Sequence, residues 1–523
     1  MATRAQPITS GPLVKALAYL AGALMLCLTL GTLAAVLMRA ERGAGFGPGD
    51  WQALRFTLWQ ALWSAALSIA CAIPVARALA RRQFRGRGVL ITLLGAPFIL
   101  PTLVAVLGLV AVFGRNGPLN AALAGLGLPE VSIYGPWGVV LAHVFFNMPL
   151  AVRLLLQGWL AIPAERFRLA ASLGFGPRQM IRHIEWPMLR ATAPGAALVI
   201  FAICLTSFAV ALALGGGPRA TTVELAIYQA FRFDVDLGKA AQLASVQFAL
   251  AGAAALLALR LSQQVTFGAG LDGTVARWDA SGRGHRALDA FWLILAAGFL
   301  LLPLGAVVLR GLPGLTELPP VVWWSLWRSL WVALLSTALV LTLSLPLAVM
   351  ATGKRGAWVE VLSTLAIAAS PLVIGTGLYL MVFPFIWPGD VALIITALVN
   401  AALALPFALR SLLPQARSLA EDYGRLSASL QITGWPLWRW VILPRLRRPL
   451  GFAAGLTAAL SMGDLGVIAL FADPDRATLP LQMYRLMGAY RIEAASAAAL
   501  LLLSASLALF WAFDMGGRAN AGP

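Results

Sequence analysis

Long apolar segments follow one another along most of this 523-residue chain, with few polar interruptions. A transmembrane helix needs about 20 consecutive apolar residues, and many segments reach that length within a few residues. They are residues 14–38, 56–79, 88–113, 136–157, 191–214, 238–260, 289–309, 322–351, 358–384, 391–413, 449–471 and 490–515. Because the apolar residues do not alternate with polar ones, an outer-membrane β-barrel is excluded. The sequence therefore predicts an all-α membrane protein with about 12 transmembrane helices.

The composition supports this class. Hydrophobic residues make up 60% of the chain and charged residues only 11%, and the mean hydropathy is +0.83, whereas soluble domains carry roughly 25% charged residues. The net charge of +18 is the excess of Lys and Arg expected in cytoplasmic loops, so no nucleic-acid partner is predicted. Cys27, Cys71 and Cys204 each lie within an apolar segment. We predict no disulfide, metal site or cofactor.

Basic residues concentrate in alternate loops, namely those after the second, fourth, eighth and tenth apolar segments. These loops carry Arg81, Arg82, Arg85, Arg87, Arg166, Arg168, Arg178, Arg182, Arg190, Lys354, Arg355, Arg417, Arg425, Arg439, Arg445, Arg447 and Arg448. Lys and Arg accumulate on the cytoplasmic side of a membrane. If every apolar segment crosses the membrane, these loops and both termini are cytoplasmic. No convincing cleavage site follows the first segment, which predicts an uncleaved first span.

An internal repeat organises the chain. The stretch from Arg168 to Gly174 (RLAASLG) returns from Arg425 to Gln431 (RLSASLQ), 257 residues later. Residues 184–187 and 219–221 match 441–444 and 476–478 at the same spacing, and upstream residues 58–59 match 330–331 at a spacing of 272. Each copy holds about six segments. Because six is even, both copies run in the same direction through the membrane, and the two six-span repeats are predicted to be parallel.

The repeat predicts two domains. The first half covers residues 1–260, with a core at about 53–260, and the second covers 289–523, with a core at about 325–515. The polar segment 261–288 between them is interpreted as a flexible cytoplasmic linker. The basic loops at 158–190 and 414–448 then lie side by side on the cytoplasmic face, where a partner with two-fold symmetry would fit them.

Each basic loop is predicted to contain two short helices joined by a turn. In the first loop, residues 167–173 form a helical start that Gly174 and the pair Gly176-Pro177 interrupt. A second short helix over residues 178–185 is predicted to end at Pro187. A helix–turn–helix along the membrane face could push on the spans that it joins. An ordinary basic loop is the alternative for one copy, but two matched copies favour the first interpretation.

The two loops resemble a motif of the inner-membrane permeases of ABC importers: E-A-A, three residues, G, nine residues, I-x-L-P. The positions that match its spacing are Arg168, Ala170, Gly174, Ile184 and Pro187 in the first loop and Arg425, Ser427, Gln431, Val441 and Pro444 in the second. Both copies depart from the motif by placing Arg where it has Glu, and Gln431 replaces its glycine. The resemblance implies that these residues couple the chain to an ATPase.

The chain as a whole resembles a narrower family, the fused permeases of bacterial thiamine and thiamine pyrophosphate importers. The similarity is clearest in residues 55–61 (RFTLWQA), 141–149 (LAHVFFNMP) and 214–229 (LGGGPRATTVELAIYQ). It implies the type I ABC importer permease fold, the bacterial inner membrane, two copies of an ABC ATPase on the cytoplasmic face, and a periplasmic thiamine-binding protein on the outer face. Ferric-iron importer permeases share the general plan, so ferric iron remains an alternative cargo.

The sequence contains no G-x-x-x-x-G-K-[ST] loop that could hold a nucleotide triphosphate, and no serine has an evident base partner. The chain is therefore not expected to be an enzyme. ATP hydrolysis is assigned to a separate subunit.

Three polar residues within predicted spans are candidates for the substrate path: Asp464, Ser207, which corresponds to it at the spacing of 257, and His143. An ionisable side chain at membrane depth is costly and usually faces a cavity or the bundle interior. The alternatives are a structural role for Asp464, as a partner of a helix end or of Tyr484, and a packed, hydrogen-bonded role for His143. A secondary transporter, the rival of a different class, would need more membrane carboxylates than these spans contain.

Overall fold

The computed structural model describes residues 12–40, 46–95, 99–261, 278–279, 282–353, 356, 358–362, 370–471 and 474–518. Within these ranges, all regular secondary structure is helical. The all-α prediction is therefore confirmed for the described part of the chain. Most of the segment predicted as a linker, residues 261–288, lies outside it.

The helices alternate between long apolar segments and short connecting pieces. The first part of the chain contains α1 (Pro12–Arg39), α2 (Pro48–Arg81), α3 (Arg87–Leu93), α4 (Thr102–Phe113), α5 (Pro118–Gly125), α6 (Pro136–Leu160), α7 (Ala164–Ser172), α8 (Pro177–Leu205), α9 (Ala209–Leu214), α10 (Val223–Arg232) and α11 (Leu237–Leu261). The second part contains α12 (Arg283–Gly311), α13 (Pro320–Met350), α14 (Pro371–Val382), α15 (Ala392–Ser429), α16 (residues 435–462), α17 (Gly466–Phe471), α18 (Leu479–Gly488) and α19 (Ile492–Arg518).

Eleven helical segments of the described residues are long and apolar enough to cross a membrane, where the sequence predicted twelve. The protein is thus a multi-pass membrane protein. The predicted span without a counterpart among the eleven is residues 358–384. There α14 has only 12 residues, and residues 363–369 lie outside the described ranges.

The predicted span at 88–113 is not one helix. Helix α3 ends at Leu93 and α4 begins only at Thr102. Pro101 is the cap residue before α4, and a proline cannot donate the backbone hydrogen bond that a continuous helix would need there. The apolar run therefore predicted the burial of this segment but not its interruption.

The predicted spans at 191–214 and 449–471 are also interrupted, at corresponding positions. Helix α8 ends at Leu205 before α9 begins at Ala209, and α16 ends at Met462 before α17 begins at Gly466. In the second case Gly463 caps α16, and a side-chain oxygen of Asp464 accepts a hydrogen bond from Gly466 N (3.3 Å). A local cap of this kind replaces the helical hydrogen bonds that are lost at the break.

Equivalent hydrogen bonds hold the short helices α10 and α18 against long helices. The backbone N–H of Val223 donates to Thr57 Oγ1 of α2 (2.9 Å). In the second part of the chain, Leu479 N–H donates to Ser329 Oγ of α13 (2.8 Å). Both hydroxyls are buried, so each satisfies a helix-start amide that water cannot reach.

The first helix of each part of the chain packs against the other part. Helix α1 contacts α13 and α14, and α12 contacts α4 and α2. Two glycines make these approaches possible. A Cβ atom on Gly108 of α4 would lie 2.5 Å from the Pro303 carbonyl oxygen of α12, and one on Gly377 of α14 would lie 2.5 Å from Thr32 Cβ of α1. Such distances exclude any side chain at either position.

Helix α12 begins at Arg283 rather than near residue 289, so the end of the predicted linker is helical. Its Asp289 is buried and is held by two arginines at the end of α2. Arg82 Nε lies 2.6 Å from Asp289 Oδ2, and Arg81 Nε lies 2.9 Å from the same oxygen. These charges compensate one another where water is scarce, which ties the start of α12 to α2.

Candidate functional site

The first loop segment, residues 158–190, contains the predicted helix and turn. Helix α7 ends at Ser172, and Gly174 adopts a left-handed backbone with φ of +64°. Phe175 N donates to Ala170 O (2.9 Å), which closes the end of the helix. A Cβ atom on Gly174 would meet nothing within 4 Å, so the backbone conformation alone favours glycine here.

The second loop segment, residues 414–448, has the same turn but a longer helix before it. Helix α15 continues through Pro414 to Ser429, so the predicted boundary between a span at 391–413 and a separate loop helix is wrong. Packing of α15 against α13 and α16 outweighs the hydrogen bond lost at Pro414. The turn follows at Gln431, with φ of +52°, and Ile432 N donates to Ser427 O (2.9 Å).

The prediction that Pro187 ends a short helix is also wrong. From Pro177 the helix continues through a π-helical turn, Ile181–Glu185, directly into Trp186–Leu205. The second loop segment has the same arrangement, with a π-helical turn at Trp438–Ile442. Pro187 and Pro444 each lie in the first turn of the following helix, where a missing N–H costs little. In each loop segment, the helix after the turn is thus continuous with the span that follows it.

Buried side chains fix both loop segments to the rest of the molecule. In the first segment, Phe167, Ala170 and Met180 are nearly inaccessible, and Ser427 and Leu437 are buried in the second. Ser427 Oγ also donates to Tyr423 O (2.6 Å) within its own helix. The small residues at Ala170 and Ser427 therefore hold the helices in place and do not offer a contact surface.

The exposed face of each loop helix carries two leucines one turn apart. Leu169 and Leu173 are 60% and 61% exposed, and Leu426 and Leu430 are 51% and 60% exposed. Exposed leucines one turn apart share a helix face. Reasoning from the motif missed these four residues, although their identity in both copies of the repeat was a signal that could have identified them.

The other residues singled out from the motif are divided between exposed and buried positions. Those exposed are Arg168, Gly174, Pro187, Arg425, Gln431 and Pro444; Ile184 is buried and Val441 is half-buried. The arginines are therefore available to a partner, whereas the isoleucine contributes to packing.

The π-helical turn of the first loop segment is tied to helix α2 by an ion pair. Arg77 Nε lies 2.8 Å from Glu185 Oε2, and the Glu185 side chain is only 2% exposed. At the corresponding positions of the second part, Val349 and Ile442 are both buried. A displacement of the first loop segment would thus act on α2 through this ion pair.

Of the three path candidates, His143 and Ser207 lie in contact. His143 Nε2 lies 2.7 Å from Ser207 Oγ, and its Nδ1 lies 3.3 Å from Ser64 Oγ of α2. A similar buried group joins α13, α15 and α16, where Ser461 Oγ lies 3.0 Å from Ser336 Oγ and accepts from Asn400 Nδ2 at 3.0 Å. Both groups satisfy polar side chains between helices.

The carboxyl of Asp464 lies in the break between α16 and α17. Its Oδ1 accepts from Gly466 N, and its buried Oδ2 has no hydrogen-bond partner among the described residues. Phe208, from the corresponding break between α8 and α9, lies close by: its Cδ1 is 3.9 Å from the position of a Cβ on Gly466. The two breaks therefore meet inside the helix bundle.

A second carboxyl, that of Glu224, was missed by the sequence reasoning. It lies on the short helix α10, is fully buried, and has no hydrogen bond of ordinary geometry with the described residues. Burial raises the pKa of the Glu224 carboxyl to about 8, against the opposing effect of its polar neighbours Ser370 and Gln247. Its flanking sequence, TTVELA, gives no sign of this burial.

Within the described residues, no group of three or more His, Cys, Asp and Glu side chains could hold a metal ion. The candidate site has two parts: the two loop segments, and an interior region that contains the carboxyls of Asp464 and Glu224. The first could receive a protein partner, and the second could receive a small solute.

Comparisons with known proteins extend this description. No protein-family model matches the chain. The chain is 40% identical over 527 residues to the thiamine transport system permease protein ThiP of Salmonella typhimurium, covering 98% of this chain and 97% of that protein. It is 39% identical over 523 residues to the protein of the same name from Brucella abortus, covering 97% and 95%. A shorter similarity, 29% over 178 residues, links 34% of the chain to 78% of the molybdenum transport system permease protein ModB of Azotobacter vinelandii.

Proposed function

The chain belongs to the family of thiamine transport system permeases of ABC importers, and we propose that it forms the passage for thiamine or thiamine pyrophosphate through the bacterial inner membrane. The main support for this function is a sequence identity of 39–40% to several thiamine permeases along nearly their full length. This favours thiamine over ferric iron as the cargo. As a permease the chain is not itself an enzyme, and a separate ATPase supplies the energy.

The passage is built from two parallel halves of six spans each, residues 1–260 and 289–523, joined by the cytoplasmic linker at 261–288. Several features support this duplication. The left-handed residues Gly174 and Gln431 and the two π-helical turns recur 257 residues apart. Twelve spans were predicted, and the one not found among the eleven long helices is residues 358–384. This range includes the short helix α14.

Two copies of the ATPase bind the loop segments 158–190 and 414–448 on the cytoplasmic face, where both termini also lie. The exposed leucine pairs support this assignment, because an apolar helix face outside the membrane needs a partner. Arg168 and Arg425 lie next to these leucines and supply charge at the edge of the contact. Because the helix after the turn in each loop segment continues into a span, movement of the ATPase against these segments is transmitted to the passage.

The substrate passes between the two halves, where the helix breaks meet. A periplasmic thiamine-binding protein delivers it at the outer face, and the passage opens alternately to the two sides. Asp464 lies on this path. His143 and Ser207 line it less directly, since they are occupied with hydrogen bonds to each other. The shortage of membrane carboxylates argues against an ion-coupled secondary transporter.

The test is purification of the chain with its ATPase, followed by measurement of ATP hydrolysis in lipid nanodiscs. Thiamine-loaded binding protein is expected to stimulate hydrolysis several-fold, while the empty binding protein stimulates it less. An equally strong response to a binding protein for another solute would contradict the thiamine assignment. Failure of the ATPase to co-purify would contradict the role of the loop segments.

A further inference from the structure

The two carboxyls inside the bundle come from different parts of the chain and share one feature. Glu224 of α10 is fully buried, and neither of its oxygens has a hydrogen bond of ordinary geometry among the described residues. The Oδ2 of Asp464, between α16 and α17, is also buried without such a bond. A buried carboxyl that lacks partners is costly and is seldom kept without a function.

Elements from both parts of the chain surround Glu224. Its polar neighbours are Gln247 of α11 and Ser370, the residue that caps α14. The amide of Gln247 already donates to Leu205 O (2.8 Å), and its own oxygen has no partner in the described chain. The Ser370 hydroxyl accepts from Leu372 N (3.2 Å). Ser370 and Gln247 are both uncharged, so neither supplies a cation that would balance an ionised Glu224.

Aromatic rings connect the two carboxyls. The rings of Phe208 and Tyr228 are 5.3 Å apart between centroids. Phe208 lies against Gly466, whose N–H binds Asp464, and Tyr228 is one helical turn beyond Glu224 on the same face of α10. The order in space is therefore Asp464, Phe208, Tyr228 and Glu224, with a carboxyl at each end.

Further rings extend from this region to the surface. Tyr379 of α14 contacts Phe231, three residues after Tyr228, with centroids 4.4 Å apart. It also stacks on Phe383 at 5.5 Å, and Phe383 lies 6.4 Å from Trp387. Phe383 and Trp387 are 48% and 56% exposed. A nearly continuous series of aromatic rings thus leads from the exposed Phe383 and Trp387 towards the carboxyls.

Carboxyls combined with aromatic faces suit an organic cation. An aromatic face attracts a positive charge without requiring it to shed a tightly held water shell. Hard metal ions need six or more oxygen ligands, and the described residues offer no group of three acidic or metal-binding side chains. A flat, permanently charged heteroaromatic ring could stack on Phe208 and Tyr228 and lie next to a carboxylate.

We propose that Glu224, Asp464, Phe208 and Tyr228 form an internal binding site for the thiazolium ring of thiamine during transit, with Glu224 as the principal counter-charge. This inference rests on the proposed transport of thiamine. It assigns to Glu224 a role in cargo selection and makes the aromatic series the route by which the cation enters.

Protonation of Glu224 explains why the fold remains stable with this carboxyl buried when no cargo is bound. Burial raises the pKa of its carboxyl to about 8, so near neutral pH the carboxyl is mostly protonated and uncharged. An arriving cation favours the ionised form, and the carboxyl then releases its proton as the charge pair forms. The same site would hold a neutral ring of equal shape less well.

The test uses the full importer, with ATPase and binding protein, in proteoliposomes. The variants are E224Q, which removes the charge, E224D, which keeps it, and E317Q, a control at an exposed carboxyl. We expect the initial rate of thiamine uptake to fall at least about tenfold in E224Q, because loss of a charge pair at close range is a large effect even in partly polar surroundings. E224D should retain more transport than E224Q, and E317Q should match the unmodified chain. Stimulation of the ATPase by loaded binding protein should persist in all three.

Equal uptake by E224Q and the unmodified chain would overturn the inference, as would equal losses in E224Q and E224D. A lack of ATP-driven thiamine uptake by the unmodified importer would instead overturn the proposed function. If E224Q does not reach the membrane, two variants of Tyr228 test the inference instead. Y228F, which keeps the ring, should transport normally and Y228L should not; equal rates for these two variants would contradict the aromatic part of the site.

Discussion

Gly174 and Gln431 lie 257 residues apart and share a left-handed backbone, with φ of +64° and +52°. Glycine adopts this conformation without strain, whereas for glutamine it costs roughly 1–2 kcal/mol. The second turn therefore keeps its geometry although its residue disfavours it. This agrees with the proposal that the two loop segments bind two identical ATPase subunits in the same way.

Substitution of Gln431 by glycine is expected to stabilise the second turn. Relief of the left-handed strain is offset by the greater freedom of glycine in the unfolded chain, so the net gain is up to about 1 kcal/mol. Thermal unfolding of the purified chain in detergent measures it. The reverse change at the other turn, Gly174→Gln, should lower the stability. A loss of stability in Gln431→Gly would show that the glutamine side chain contributes more than the turn conformation does.

Substitutions that place a charge on the exposed leucine faces are expected to prevent ATPase binding. Leu173→Glu and Leu430→Glu together should reduce ATPase co-purification at least about tenfold, since buried leucine contacts contribute about 1.5–3 kcal/mol each. Leu126→Glu is the matched control, because Leu126 is 74% exposed in a different loop. If the double variant retains full ATPase binding, the leucine faces are not the contact surface.

The topology predicts that residue 172 is cytoplasmic and residue 126 is periplasmic. Single cysteines at these positions, in a variant whose native cysteines are replaced by alanine, can be probed with a maleimide that does not cross membranes. Ser172→Cys should react only in inverted vesicles, and Leu126→Cys only in spheroplasts. Both positions are exposed, so access is not limited by burial. The opposite labelling pattern would reverse the assigned orientation.

The contacts of α1 and α12 with the other half should be sensitive to glycine substitution. Gly108→Leu and Gly377→Leu each insert a side chain where a Cβ atom would already lie 2.5 Å from a neighbour. Overpacking of this kind costs about 1–3 kcal/mol, which denaturation of the purified chain should detect. Gly298→Leu is the control, since a Cβ there meets nothing within 4 Å. Equal stability of all three variants would show that α1 and α12 do not pack as described.

The sequence predicted the helical class, most of the spans and the turn after each loop helix, because these depend on local composition and on a repeat that is visible in the residues. It did not predict the break around Pro101, whereas Gly463 and Gly466, which flank Asp464, indicated the local break there. An apolar run indicates that a segment is buried. It does not indicate where the helix is interrupted and its backbone hydrogen bonds are replaced by capping interactions. Helix continuity past Pro187 and Pro444 was missed for a related reason, since a π-helical turn leaves no mark in residue composition.

The interior site was predictable only in part. Asp464 stands out because it is a charge within an apolar run. Glu224 does not, because its neighbours in sequence resemble those of an ordinary amphipathic helix, and its burial arises from contacts with α11 and α14 that are distant along the chain. Side chains brought together by tertiary packing leave no local signal. The exposed leucines differ in this respect, as the repeat itself marked their positions.

The most direct test of the account is thiamine uptake into proteoliposomes that contain the chain and its ATPase, with ATP enclosed and loaded thiamine-binding protein outside. We predict accumulation of thiamine above its external concentration, dependent on both ATP and the binding protein. Uptake that proceeds without ATP when a proton or sodium gradient is imposed would contradict the account, because the chain would then be a secondary transporter.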